Sequence, residues 1–137
     1  MSQTAIFGPV FAMFALTLAV WLYMYAKRIP FIQSLDPDIA LTPAKLAELS
    51  PPAVANPSDN LKNLFEMPTI FYAVVLYLHA TGKVDALYLG AAWTFFAFRL
   101  LHSLVHCSFN LVPLRFVLYV ISALALWFMV ARMALAV

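Results

Sequence analysis

Charge is what this sequence has least of. Asp, Glu, Lys and Arg together make up 10% of its 137 residues, and the formal net charge is +2. A soluble domain carries about 25% charged and 45–50% apolar residues, whereas this chain is 65% hydrophobic with a mean hydropathy of +0.91. So small a charge balance excludes a nucleic-acid footprint. One cysteine, Cys107, excludes an intrachain disulfide framework and gives no metal signature. Three glycines leave no glycine-rich phosphate loop. What remains is the composition of an all-α integral membrane protein, a single domain over 1–137.

The apolar runs predict four spans. The first covers 6–26, about the 20 residues needed to cross the hydrocarbon core, with Pro9 in its first turn and Lys27 and Arg28 closing it. Met1 to Ala5 carry no positive side chain, and the charges follow the run, so this reads as a retained helix rather than a cleaved signal. Residues 27–56 form the long polar segment, broken by Pro30, Pro37, Pro43, Pro51 and Pro52. Within it Thr42 to Leu49 is a candidate short interfacial helix with Pro at its first position. The second span, 58–80, opens on Asn56-Pro57-Ser58-Asp59 as a capped start, is kinked by Pro68 and ends at Gly82. The third covers 84–107, with small residues Ala86, Gly90 and Thr94 at helical spacing for close helix approach. The fourth, 113–135, starts at Pro113 and is interrupted by Arg115, Ser122 and Arg132.

The stretch from Arg99 to Arg115 concentrates the chemistry. On a helix, Arg99, His102 and His106 fall at i, i+3 and i+7 and share one face. Charge inside a bilayer is costly, so such a face turns to protein or to a wet cavity. Two histidines at i, i+4 with no carboxylate close in sequence do not make a metal site. Asn63 and Glu66 share a face near the start of span two. Lys27, Arg28, Lys45 and Lys62 lie in or beside the long loop, against Lys83 alone in the next connection, so the positive-inside rule makes the long loop cytoplasmic. Asn63, Glu66, Arg99, His102, His106 and Arg115 then fall in the cytoplasmic half. An Arg99–Glu66 ion pair is the expected neutralisation.

Asn63-x-x-Glu66, then Arg99-x-x-His102-x-x-x-His106, then Arg115 after a proline, resembles the MAPEG family, membrane-associated proteins in eicosanoid and glutathione metabolism. The resemblance runs over all four spans, and the spacing from Arg99 to Arg115 is most similar to a bacterial-type member near the microsomal glutathione transferase and prostaglandin E synthase branch. It implies a four-helix bundle assembled as a homotrimer in the bacterial inner membrane, with glutathione as co-substrate between subunits on the cytoplasmic side. Arg115 matches the arginine that stabilises the thiolate. Asn63 and Glu66 match glutathione contacts, and His106 stands where a tyrosine is common. Arg99, His102 and Lys62 complete the expected binding set.

One position departs from the pattern: Asp59 stands four residues before Asn63, where glutathione-binding members usually carry an arginine. Lys62, Lys27 or Arg28 would have to compensate. Two functions are therefore open, a glutathione-dependent transferase or peroxidase acting on lipophilic electrophiles, and a non-catalytic trimer binding a lipid or other ligand in the same cleft. Plainer roles stand beside each residue: Arg99 with Glu66 as a tie between spans, the histidines as hydrogen-bonded interior residues, Arg115 as a headgroup anchor.

Overall fold

The computed structural model describes residues 1–136, and all regular structure among them is helical. A short 3-10 turn, Gln3–Ile6, leads into α1 (Phe7–Ser34), followed by α2 (Pro43–Leu49), α3 (Pro52–Asn63), α4 (Met67–Ala80), α5 (Ala86–His106) and α6 (Val112–Leu135). Three segments are long and apolar enough to cross a membrane, 3–34, 52–80 and 112–135. The chain is an integral membrane protein. Helix α5, expected as a fourth span, is not among the three although it has 21 residues. The polar side chains that lower its hydropathy are those it buries.

Several boundaries differ from the sequence expectation, for one physical reason. A change of polarity marks where lipid ends, and a helix need not end there. Lys27 and Arg28 do not close α1, which runs 28 residues, about 42 Å, well past a hydrocarbon core of about 30 Å. It absorbs Pro30 at the cost of one backbone donor. The long polar segment therefore shrinks to residues 35–42, the short helix α2, and the two residues after it. Thr42 caps α2 by accepting from the Lys45 N–H at 3.1 Å.

The second apolar segment is two helices. Pro52 opens α3 at a position where its missing N–H is harmless, so Pro57 lies inside a helix it was expected to start. Pro68 does more than kink. Leu64 to Glu66 leave the helix altogether, Glu66 taking φ −94° and ψ −101°, and Pro68 sits in the first turn of α4. Glycine ends α4: Gly82 has φ +64°, and the Gly82 and Lys83 N–H groups return to the His79 and Leu78 carbonyls at 3.2 and 3.0 Å.

The most extensive packing joins α5 to α6, and next α1 to α3. Ile6, Met13, Phe71, Val75, Leu78, Phe95, Leu126 and Met129 are fully buried, and Phe71 stacks on Phe95 with ring centres 4.5 Å apart. The small residues Ala86, Gly90 and Thr94 turn to the outside of the protomer, and a Cβ added at Gly90 would meet nothing within 4 Å. No helix among the described residues packs there. The close approach falls at Gly8 instead, where an added Cβ would stand 3.1 Å from the Trp93 ring.

At one end of the molecule α5 and α6 are clamped. Asp85 caps α5 by accepting from the Tyr88 N–H at 3.0 Å and also takes two bonds from Arg132 near the end of α6, at 2.8 and 2.6 Å. The Arg132 guanidinium lies over the Tyr88 ring, 4.2 Å from its centre. Hydrogen bonding from Arg132 holds the Asp85 carboxyl down to about 2. Gln3 ties the N-terminal turn to the same end through the N–H and carbonyl of Val84, at 2.9 and 3.2 Å.

Candidate functional site

The opposite end gathers the polar residues. On α5, Arg99, His102 and His106 are all buried and share the inner face, as their spacing dictates. Asn63, the last residue of α3, places its amide nitrogen 3.5 Å from His102 Nε2 and 3.4 Å from His106 Nδ1. The network assigns the tautomers. His102 Nδ1 stands 3.1 Å from the Arg115 carbonyl, an acceptor only, so it carries the proton and donates. His102 Nε2 is then an acceptor and takes one Asn63 N–H, while His106 Nδ1 takes the other. Both nitrogens of His102 and the Nδ1 of His106 thus have partners within the protomer. No group of three or more His, Cys, Asp or Glu among the described residues is arranged to hold a metal ion.

Arg115, half-buried in the first turn of α6, donates from Nη1 to Asn110 Oδ1 at 2.7 Å. Asn110 closes the α5–α6 connection in the left-handed region, φ +46°, and its N–H returns to the Val105 carbonyl at 2.8 Å. Its amide nitrogen donates to Asn56 Oδ1 on α3 at 3.3 Å. A second buried amide lies beneath: Asn60 accepts from Ser103 Oγ at 3.2 Å and faces Cys107 Sγ at 3.6 Å. Sequence reasoning gave Asn56 only a helix-capping role and gave none to Asn60, Ser103 or Asn110, because a neutral polar residue carries no signal in a charge pattern. Asn110, three residues before Pro113, had one usable mark: asparagine is the common non-glycine residue at a left-handed helix end.

The expected Arg99–Glu66 ion pair does not form within the protomer. Arg99 has no exposed surface, and none of its three guanidinium nitrogens finds a hydrogen-bond partner among the described residues. It lies over the rings of Tyr119 and Phe95, 4.5 and 5.6 Å from their centres. Glu66, at the break between α3 and α4, is exposed. Glu66 thus lies on no helix face, and no ion pair joins it to Arg99 among the described residues. Lys62 is tied to Asp59 at 2.9 Å, both exposed, and Arg28 donates to Ser58 at 2.6 Å. These four residues line a cavity of about 450 Å³ between α1, α2 and α3. Arg115, Asn63 and the histidines do not line it.

The MAPEG family model matches residues 6–135. This chain belongs to the MAPEG family. No curated protein and no solved structure matches it. The MAPEG family includes glutathione transferases and non-catalytic members alike, so membership fixes the membrane setting and leaves the chemistry to the residues. In this MAPEG chain they form one cluster: a guanidinium bonded to a neutral amide, with two buried imidazoles behind it.

Proposed function

We propose that this MAPEG protein is a glutathione-dependent transferase or peroxidase for lipophilic electrophiles, with Arg115 stabilising the thiolate. The observation that carries the reading is the state of Arg115, whose one side-chain bond among the described residues is to a neutral oxygen, leaving its charge free to meet an anion. A thiol of ordinary pKa about 8.5 is mostly protonated at neutral pH, and a nearby guanidinium favours the anion. A shift of two units corresponds to about 2.7 kcal/mol. In transfer, the thiolate sulfur forms a bond to the electrophilic carbon while that carbon's leaving group departs with its electron pair, or a proton is taken up where the electrophile is an activated alkene.

Asn63, Glu66, Lys62, Arg99, His102 and His106 are the proposed binding set. The proposed assembly is a homotrimer of four-span subunits, closest to the glutathione transferase and prostaglandin E synthase branch. Its support is the outward stripe of Ala86, Gly90 and Thr94 and the exposed Glu66, which an adjacent subunit would cover. The proposed setting is a bacterial inner membrane with the site facing the cytoplasm. Lys27, Arg28, Lys45, Lys62 and Arg115 cluster at the site end, which the positive-inside rule favours.

A non-catalytic ligand-binding trimer is the second reading, and Asp59 favours it: its carboxylate occupies Lys62, a cation that a glutathione carboxylate would need. Glutathione binding to the purified protein in detergent separates the two, with Asp59→Arg as companion. Tight binding, thiolate absorbance near ~240 nm and turnover support the enzyme. Binding without thiolate at any accessible pH supports the second reading.

A further inference from the structure

We infer that Asn110 is a positioning residue that aims Arg115 without neutralising it, an inference that rests on Arg115 being the thiolate-binding cation. Arginine has donors only, so the oxygen of the Asn110 amide must face it. The nitrogen of the same amide then faces Asn56, whose oxygen accepts it at 3.3 Å. Asn110 itself is fixed at both ends, by its backbone bond to Val105 at 2.8 Å and by Asn56 on a different helix. The relay Asn56–Asn110–Arg115 thus joins α3, the α5–α6 connection and α6 through neutral groups. A carboxylate at position 110 would hold the guanidinium as well and more strongly, but it would cancel the field that a thiolate requires. Glycine and aspartate both tolerate the left-handed backbone that Asn110 adopts, which makes the idea testable without refolding the connection.

The probes are glutathione sulfonate, whose fixed negative group occupies the place of the thiolate, and S-methylglutathione, which is neutral there. Both are titrated by calorimetry into wild type, Arg115→Leu, Asn110→Gly and Asn110→Asp, alongside the pH dependence of turnover with an activated aryl halide. Wild type is expected to prefer the sulfonate by about tenfold, one charge-assisted contact. Asn110→Asp should erase that preference as fully as Arg115→Leu does, and should move the rising limb of the pH–rate profile upward by about one unit. Asn110→Gly should lose about threefold of the preference, with melting temperature unchanged or raised. A merely structural role for Asn110 would not separate the two probes. If wild type prefers the sulfonate, Arg115→Leu abolishes the preference and both Asn110 variants keep it, the inference about Asn110 is overturned while the reading of Arg115 stands. If wild type binds neither probe, or binds both alike, the reading of Arg115 fails and the role of Asn110 falls with it.

Discussion

The two ends of this molecule treat arginine in opposite ways. Arg132 is closed by an acid, two bonds to Asp85 at 2.8 and 2.6 Å, with Tyr88 against its face. Arg115 is held by an amide and keeps its charge. A bidentate carboxylate spends both the geometry and the electrostatics of a guanidinium on fastening two helices. A neutral oxygen fixes direction alone and leaves the field for something else. Pairing marks structure, and an aimed but uncompensated cation marks chemistry.

Arg115→Leu against Arg132→Leu is the largest test of that contrast. Losing Arg115 is expected to lower turnover by roughly 10²-fold at neutral pH for a two-unit thiol shift, with thiol binding changed by only a few-fold and part of the rate returning at higher pH. Losing Arg132 should leave turnover within about twofold, because a partly exposed ion pair far from the site contributes little. Steady-state rates of both variants in one detergent decide it. Equal losses would break the comparison.

Arg99 sharpens it from a third direction, since it has neither acid nor amide in the protomer and rests on two rings. Tyr119→Leu should cost about 2 kcal/mol, the size of a desolvated cation–π contact, and Tyr119→Phe less than about 0.5 kcal/mol because the ring remains. Denaturant unfolding of the two variants measures the difference. A large loss in the phenylalanine variant would show that the hydroxyl, not the ring, stabilises Arg99.

The smallest effect belongs to Asp85. Its carboxyl is held at about 2, below an ordinary 3.8, so the clamp's contribution is complete above about pH 4 and lost as pH falls towards 2. Asp85→Asn should lower the melting temperature by no more than about 2 °C at neutral pH and flatten the acid side of the stability profile. A variant with the same acid slope as wild type would show that other carboxylates govern it.

Much of the helical layout was legible because it follows from solvent. Backbone groups in lipid must bond within their own segment, so long apolar runs are helices. Periodicity put Arg99, His102 and His106 on one buried face, and Gly82 ended α4 where a left-handed residue was needed. The end at Lys27 was misplaced because it was inferred from polarity, and the start at Asn56 because a cap-like Asn-Pro sequence lies inside α3. The missing Arg99–Glu66 pair has a related cause: depth along two helices was readable, but the break at Leu64–Glu66, where the acid lies exposed, was not.

The sequence by itself determined the medium, the helical content and which faces carry charge, since these depend on composition and on spacing along a single segment. Only the tertiary structure decided which polar group meets which. Asn63 bridging two histidines lies 39 and 43 residues from them, Asn110 meets Asn56 across 54, and Asp85 finds Arg132 across 47. Hydrogen bonds reach only about 3 Å, so their partners are fixed by how α3, α5 and α6 pack, and by nothing that either residue's neighbours in the chain disclose.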